Sequence, residues 1–270
     1  MSLASELRPR LDLALEAAGA AEKIILHYYQ SSALAVERKA DSSPVTVADR
    51  EAELKIRELI ARDFPADGVL GEEYGETSGT SGFRWILDPV DGTKSFIHGV
   101  PLFGTLIGVE YIDPAGPPRP VAGVCHFPGL SETAWGAEGL GAWWRKGTAE
   151  PQRARVSTEG DISKALICFT TVSGFQRIGR ADAFAELTRR AGLTRGWGDC
   201  YGHYLVAVGR AEAMVDPLMN PWDAAALVAI IQEAGGSFMD WQGQASIYTG
   251  NGISVNAALR SEILQIAMGR

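Results

Sequence analysis

Apolar positions near the start of the chain, Leu11, Leu13, Leu15, Ala18, Ile25 and Leu26, recur at roughly helical spacing and predict an amphipathic helix over the first thirty residues. Its role is packing. The polar stretch KADSSPVTVAD, Lys39 to Asp49, predicts a turn, after which Leu54, Ile56, Leu59 and Ile60 mark a second helix that Pro65 ends. GVLGEE and RWILDPV have the run length of short buried strands, and both finish on acids. GTLIGVEYI, PVAGVCHF and GLGAWWRKG continue as strands between Gly and Pro turns. From Lys164 the pattern changes to strands alternating with helices. It gives ALICF, a helix around Ala181 to Ala191, another around Tyr201 to Val208, then AEAMVD, a helix from Trp222 to Glu233, and ISVN before a last helix. Together these predict a layered α/β sandwich in a single domain over residues 1–270. Its sheet-rich half runs to roughly residue 150 and its α/β half follows, with no low-complexity linker and no fixed-period repeat.

Composition narrows the function classes. The 270 residues are 46% hydrophobic and 21% charged, with a mean hydropathy near zero, as in a globular protein able to bury a large core. A net charge of −8, with no basic cluster, argues against a nucleic-acid surface. Cys125, Cys168 and Cys200 are far apart and odd in number, so packed, reduced thiols are expected rather than a disulfide framework or zinc cluster. Met1 to Arg10 lack an apolar signal core, and Ala224 to Ile231 is too short to span a bilayer. The expectation is a cytoplasmic enzyme or binding protein without a membrane partner.

Four acids carry the candidate chemistry: Glu72 in GEE, Asp88 and Asp91 in DPVDGT, and Asp223 in PWDAAA. Each alone has a plain structural explanation, as a strand-end surface acid, a turn former around Pro89, or a helix N-cap. Their joint placement argues otherwise. Asp88 and Asp91 leave the end of one buried strand, Glu72 leaves the end of its expected neighbour, and no Lys or Arg lies nearer than Lys94. Carboxylates crowded in this way need a cation, and oxygen-only ligands select magnesium or manganese over zinc. Pro89 also releases the Val90 carbonyl from a regular ladder, as a further hard oxygen ligand.

Gly92 and Thr93 supply the complement, because a Gly-led turn opening a helix aims several backbone N–H groups at one spot. The Thr93 hydroxyl is placed to orient a water, with Asp49 as an acceptor for its proton. Phosphate-ester hydrolysis is the chemistry that fits.

GEE, WILDPVDGTKSFIHGVP and NPWDAAALVAIIQEAGG resemble the three signature segments of the inositol monophosphatase family of metal-dependent phosphatases, and the likeness extends over nearly the whole chain. The resemblance implies that Glu72, Asp88, the Val90 carbonyl, Asp91 and Asp223 ligate two or three magnesium ions, with manganese able to substitute. It implies that Gly92 and Thr93 hold phosphate and that Asp49 and Thr93 position the attacking water. Glu72 joins them in catalysis, and Glu73 is a secondary acid. The family's fold is a layered α/β sandwich, usually a homodimer and often inhibited by lithium.

Within the family, DGTKSFIHGVPLFGTLIG and RGWGDCYGHYLVAVG resemble the histidinol-phosphatase branch. Inositol-specific members tend to have D-G-T-x-N-F and a small, neutral stretch in place of GDCYGH. The branch implies hydrolysis of L-histidinol phosphate in histidine biosynthesis. The ammonium and imidazole of that ester would suit Asp199 and Asp216, with Arg195 shaping the pocket. Plain readings stand beside these: Asp199 caps a helix, Asp216 ends a strand and Arg195 is solvent-exposed. An inositol or sugar monophosphatase is the alternative substrate class, and a catalytically idle phosphate-binding protein the non-enzyme one.

The other features are structural. GLGAWW predicts a hairpin rather than a dinucleotide loop, because its third glycine is missing. His27, His98 and His126 show no ligand spacing, whereas His203 follows Asp199 by one helical turn, which would set it at the pocket rim. The seven tryptophans suggest core anchors, Trp222 is expected to orient the helix carrying Asp223, and Gly235 or Gly236 to take a left-handed helix cap.

Overall fold

A computed structural model describes residues 3–31, 36–38, 44–113 and 115–269. The first half contains α1 (Leu3–Tyr28), β1 (Val36–Arg38), β2 (Pro44–Thr46), α2 (Val47–Asp63), β3 (Gly68–Gly71), β4 (Gly75–Thr77), β5 (Phe83–Asp91), α3 (Thr93–Ile97), β6 (Gly104–Tyr111), β7 (Arg119–Phe127), β8 (Glu132–Ala137), β9 (Gly141–Lys146) and β10 (Gln152–Arg153). The second contains β11 (Leu166–Phe169), α4 (Val172–Arg177), α5 (Ala181–Arg190), β12 (Leu193–Arg195), α6 (Asp199–Ala207), β13 (Ala213–Asp216), α7 (Pro221–Glu233), β14 (Ser237–Met239), β15 (Gly252–Val255) and α8 (Arg260–Ala267).

An eight-stranded sheet has the order β10-β9-β8-β7-β6-β5-β3-β4, and a five-stranded sheet the order β12-β11-β13-β15-β14. α1 and α2 cover the outer face of the larger sheet, where Leu7, Leu11, Ile56 and Ile60 pack on Trp85 and Ile107. α6 and α7 fill the space between the sheets, and α4, α5 and α8 cover the far face of the smaller one. The result is an αβαβα sandwich, and strands buried on both faces explain why β5 and β6 read as continuous apolar runs.

A row of glycines fixes where α7 sits. Gly108, Gly123 and Gly136 are cross-strand partners on β6, β7 and β8. A Cβ at Gly108 would come within 2.7 Å of the Ala225 Cβ, and one at Gly123 within 2.1 Å of the Ala226 carbonyl. Only a bare backbone lets the Ala-rich helix settle this deeply, and its depth sets Asp223, in its first turn, against the end of β5.

Several sequence expectations need correction. Leu26 and Leu54 are exposed, because α1 and α2 bury narrower stripes than the apolar spacing suggested. Of the expected turn, residues 39–43 lie outside the described residues. Its remainder is strand β2 and the first turn of α2, so Asp49 sits on a helix. β8 was not anticipated because small residues break its β signal, yet ETAWGA is buried throughout and forms, with β9, the hairpin expected at GLGAWW. Trp85 and Trp241 are core anchors, whereas Trp197 is exposed. Gly235 takes the left-handed cap (φ 87°), and all three cysteines are buried free thiols. Among the described residues no helix is long and apolar enough to cross a membrane.

Candidate active site

The ladder between β5 and β6 is regular to Asp88 and resumes, with its register shifted, at Asp91. Pro89, which has no N–H to donate, lies inside the interruption. The Pro89 carbonyl accepts from the Thr105 hydroxyl (2.8 Å), and the Val90 carbonyl accepts from the Thr93 hydroxyl (3.1 Å). Gly92 then turns the chain into α3 in the left-handed conformation (φ 82°), which glycine adopts without a steric penalty. Glu72 follows β3 beside this point, its N–H donating to the Leu87 carbonyl (3.1 Å).

Each clustered acid is tethered by a backbone N–H on one carboxylate oxygen. Val90 donates to Asp88 Oδ1 (3.0 Å), Cys200 at the start of α6 donates to Asp91 Oδ2 (2.5 Å), and Asn220 at the start of α7 donates to Asp223 Oδ2 (2.7 Å). One oxygen from each of these three acids lies within 4.8 Å of the others. The surrounding cleft, about 160 Å³, is lined by Glu72, the Asp88–Thr93 turn, Lys94, Asp199, Asn220 and Asp223.

These charges are poorly compensated. Burial, then Glu72, Asp91 and Asp223, hold Asp88 well above the ordinary carboxylate range, while burial with Asp199 and Asp223 does the same to Asp91. Burial pushes Asp223 up to about 7, against the lowering effect of its Asn220 bond. Among the described residues no Lys or Arg forms an ion pair with Asp88, Asp91 or Asp223; Lys94, on the cleft wall, acts on Asp199. Three converging carboxylate oxygens without a protein counter-charge fit a hard divalent cation. A roomier cleft of about 450 Å³, between Pro117–Pro120 and Gln244–Tyr248, has no carboxylate on its wall.

Thus Glu72, Asp88, Val90, Asp91, Gly92, Thr93, Asp223 and Asp199 share one cleft, but Asp49, Asp216 and Arg195 do not line it. Asp49 Oδ2 accepts from the Thr46 N–H (2.8 Å) and hydroxyl (2.5 Å), so the expected Asp49–Thr93 bond is replaced by a capping box on α2. It still lies within the field of Glu72 and Glu73, and burial chiefly pushes its pKa up to about 7. Asp216 is buried behind the cleft: Thr170 donates its hydroxyl to Asp216 Oδ2 (2.6 Å) and accepts the Asp199 N–H (3.0 Å). That bond helps hold Asp199 at φ 53°, a conformation unfavourable for a residue with a side chain. Arg195 points its guanidinium to the Thr194 carbonyl (2.8 Å) on the surface. His203 is fully buried, Nδ1 against Ser254 Oγ (2.7 Å), because α6 is enclosed on most sides; desolvation lowers its pKa to about 3.

Sequence reasoning missed Thr46, Thr170, Asn220 and the Cys200 N–H. TVAD and NPWD carry the spacing of capping boxes and could have disclosed Thr46 and Asn220. Nothing local marks Thr170.

An αβαβα fold with clustered, metal-competent acids beside a Gly-led helix start defines a metal-dependent phosphatase of the layered sandwich type. The chain belongs to the inositol monophosphatase family, whose model matches residues 6–268. It is 43% identical over 259 residues to the histidinol-phosphatase of Chlorobaculum parvum, with 96% of each chain covered. It is 36% identical to that of Streptomyces coelicolor, covering 94% of this chain and 95% of the relative. Among solved structures it is similar to the extragenic suppressor protein suhB of Bartonella henselae (TM-score 0.84, 26% identity, 96% and 98% covered). It also resembles an inositol monophosphatase of Zymomonas mobilis (TM-score 0.82, 29% identity, 99% and 100% covered).

Proposed function

We propose that the chain hydrolyses L-histidinol phosphate to L-histidinol and inorganic phosphate, in the cytoplasm and as a step of histidine biosynthesis. The observation that carries this reading is Asp199, an acid in the cleft beyond the three that converge on one point, held there by Thr170 in a strained backbone conformation. An extra carboxylate facing the leaving group suits a substrate whose alcohol bears an ammonium and an imidazole. The names of the two relatives support the same ester.

Asp88, Asp91, Asp223, Glu72 and the Val90 carbonyl would hold the metal. Two or three magnesium ions, or manganese in their place, would neutralise phosphate charge and lower the pKa of a water. Gly92 and Thr93 hold the phosphoryl group from the start of α3, leaving its phosphorus open to in-line attack by water. Glu72 is the acid assigned to take the proton that water releases, and Asp49, which does not line the cleft, acts on the site through the field it shares with Glu72. As the water oxygen bonds to phosphorus the ester P–O bond breaks, and the alkoxide leaves toward the wall formed by Asp199, taking back the proton that water released to become histidinol. Asp216 and Arg195 do not touch the cleft, and Asp216 serves by fixing Thr170.

The proposal includes a homodimer. It is supported by apolar side chains exposed close in sequence to Thr170, Asp199 and Asp216, namely Val172, Trp197 and Leu218. Light scattering tests it.

Rates on histidinol phosphate, inositol 1-phosphate, fructose 1,6-bisphosphate and para-nitrophenyl phosphate, with magnesium and with chelator, test the function. Histidinol phosphate should lead, activity should vanish with chelator, and Asp199→Asn should depress histidinol phosphate selectively. Equal rates on inositol phosphate would leave only the broader phosphatase, and no turnover of any ester would favour an idle binding protein.

A further inference from the structure

A further cavity, about 290 Å³, lies between α1 and the β7–β9 strands, and its wall shares no residue with the acidic cleft. Groups of opposite charge reach it from different elements: Glu22 on α1 and Arg145 on β9. Among the described residues neither forms an ion pair with a Lys, Arg, Asp or Glu. The ion-pair neighbour of Glu22 is His126, and Arg145 lies over the Trp135 ring, 5.7 Å from its centroid.

His126, on β7, is the second observation. Its side chain is 9% exposed, Nδ1 is bonded to Thr133 Oγ1 (2.8 Å), and Nε2 has no hydrogen-bond partner among the described residues. Glu22 Oε1 is 3.6 Å from Nε2, beyond hydrogen-bond reach. A buried ring nitrogen left in this state is costly to the fold unless something else meets it. Thr148 adds a hydroxyl at the cavity edge, and Leu15 and Ala18 give it an apolar side.

A carboxylate whose one ion-pair neighbour among the described residues is His126, and a guanidinium with none, face one half-open space below the roughly 300–1,000 Å³ of drug-sized sites. A simple anion would be repelled by Glu22, and a simple cation by Arg145. We propose that this cavity binds a small zwitterion of the α-amino-acid class, with its ammonium on Glu22, its carboxylate on Arg145 and a further polar contact at His126 Nε2. The apolar wall of α1 takes the ligand's side chain. Since no residue of the acidic cleft takes part, the proposal stands apart from the phosphatase reading.

Isothermal titration of the full chain with each of the standard L-amino acids tests it. At least one should bind saturably at a single site, while its decarboxylated amine and its deaminated acid bind at least tenfold more weakly. Glu22→Gln and Arg145→Gln should each weaken binding by about tenfold or more. Both should leave the thermal midpoint and the hydrolysis of para-nitrophenyl phosphate unchanged. The proposal is overturned if no amino acid binds at millimolar concentration, or if binding persists in both variants, which would place the ligand elsewhere.

Discussion

Replacing Asp91 by Asn should make the metal-free protein more stable above neutral pH while removing its response to magnesium. Oxygens of Asp88, Asp91 and Asp223 lie within 4.8 Å of one another. At an effective dielectric of about 20, two unit charges at that separation repel by about 3.5 kcal/mol. Protonation offers partial relief, but keeping an ordinary carboxyl protonated at pH 7.5 costs up to about 5 kcal/mol, so the smaller penalty sets the scale. Asn keeps the shape, and its Oδ1 can still accept the Cys200 N–H, so about 3 kcal/mol of strain should disappear. The pH sign follows from the raised folded-state pKa of Asp91. The folded chain holds this proton more tightly than the unfolded one, so stability is lost as pH rises from the ordinary carboxylate range through the raised value. Wild type and variant should therefore agree near pH 4 and diverge above it. Urea unfolding in chelator at pH 5 and pH 8 measures the divergence. Magnesium at a hundred times its dissociation constant should then stabilise wild type by about 2.7 kcal/mol, and the variant far less. A metal-free variant less stable than wild type at pH 8, or equal stabilisation of both by magnesium, would refute the reasoning.

Thr170→Val removes the hydroxyl between Asp216 and the Asp199 N–H, and should lower kcat/KM for histidinol phosphate about tenfold or more while sparing para-nitrophenyl phosphate. Equal losses on both esters would limit Thr170 to a structural role. Thr93→Ala should reduce kcat by roughly a hundredfold with little change in KM, since the phosphate contacts proposed for Gly92 and the start of α3 would remain; a change confined to KM would assign Thr93 to binding alone. His203, whose folded-state pKa of about 3 lies below its unfolded value, draws stability away as pH falls through about 6.5, because only the unfolded chain gains the proton. Between pH 7.5 and pH 5 wild type should lose about 2 kcal/mol more than His203→Gln in urea unfolding, and parallel losses would contradict the burial argument.

The elements legible in the sequence were those whose signal is local. β5 and β6 read as strands because both of their faces are buried, and the acids at the ends of β3 and β5 stood out against apolar runs. α7 was legible as a helix, but not its depth, because that depends on Gly108, Gly123 and Gly136 lining up across three strands. The expected turn before Asp49 failed for a related reason. Its polar composition hid the Thr46 capping box, which a T-x-x-D spacing offers but does not require. His203 shows the limit of helical periodicity. One turn separates it from Asp199, yet α6 lies between two sheets and buries almost every face, so spacing alone could not say which face opens on the cleft.

The pairing of Thr170 with Asp216 was beyond local reading because β11 and β13 are parallel neighbours separated by three helices and another strand. Their pairing explains a feature of the site that the carboxylates alone do not. Asp88, Asp91 and Asp223 are each oriented by a backbone N–H, and Asp199 has its own N–H fixed by Thr170. An amide orients a carboxylate while leaving its net charge uncompensated, whereas a Lys or Arg in the same place would neutralise it. The fold therefore uses helix starts and a register break for direction and leaves Asp88, Asp91 and Asp223 without an ion pair among the described residues, which on the proposed function would keep their charge available to a metal. The raised pKa values of Asp88 and Asp91 are the mark of that arrangement.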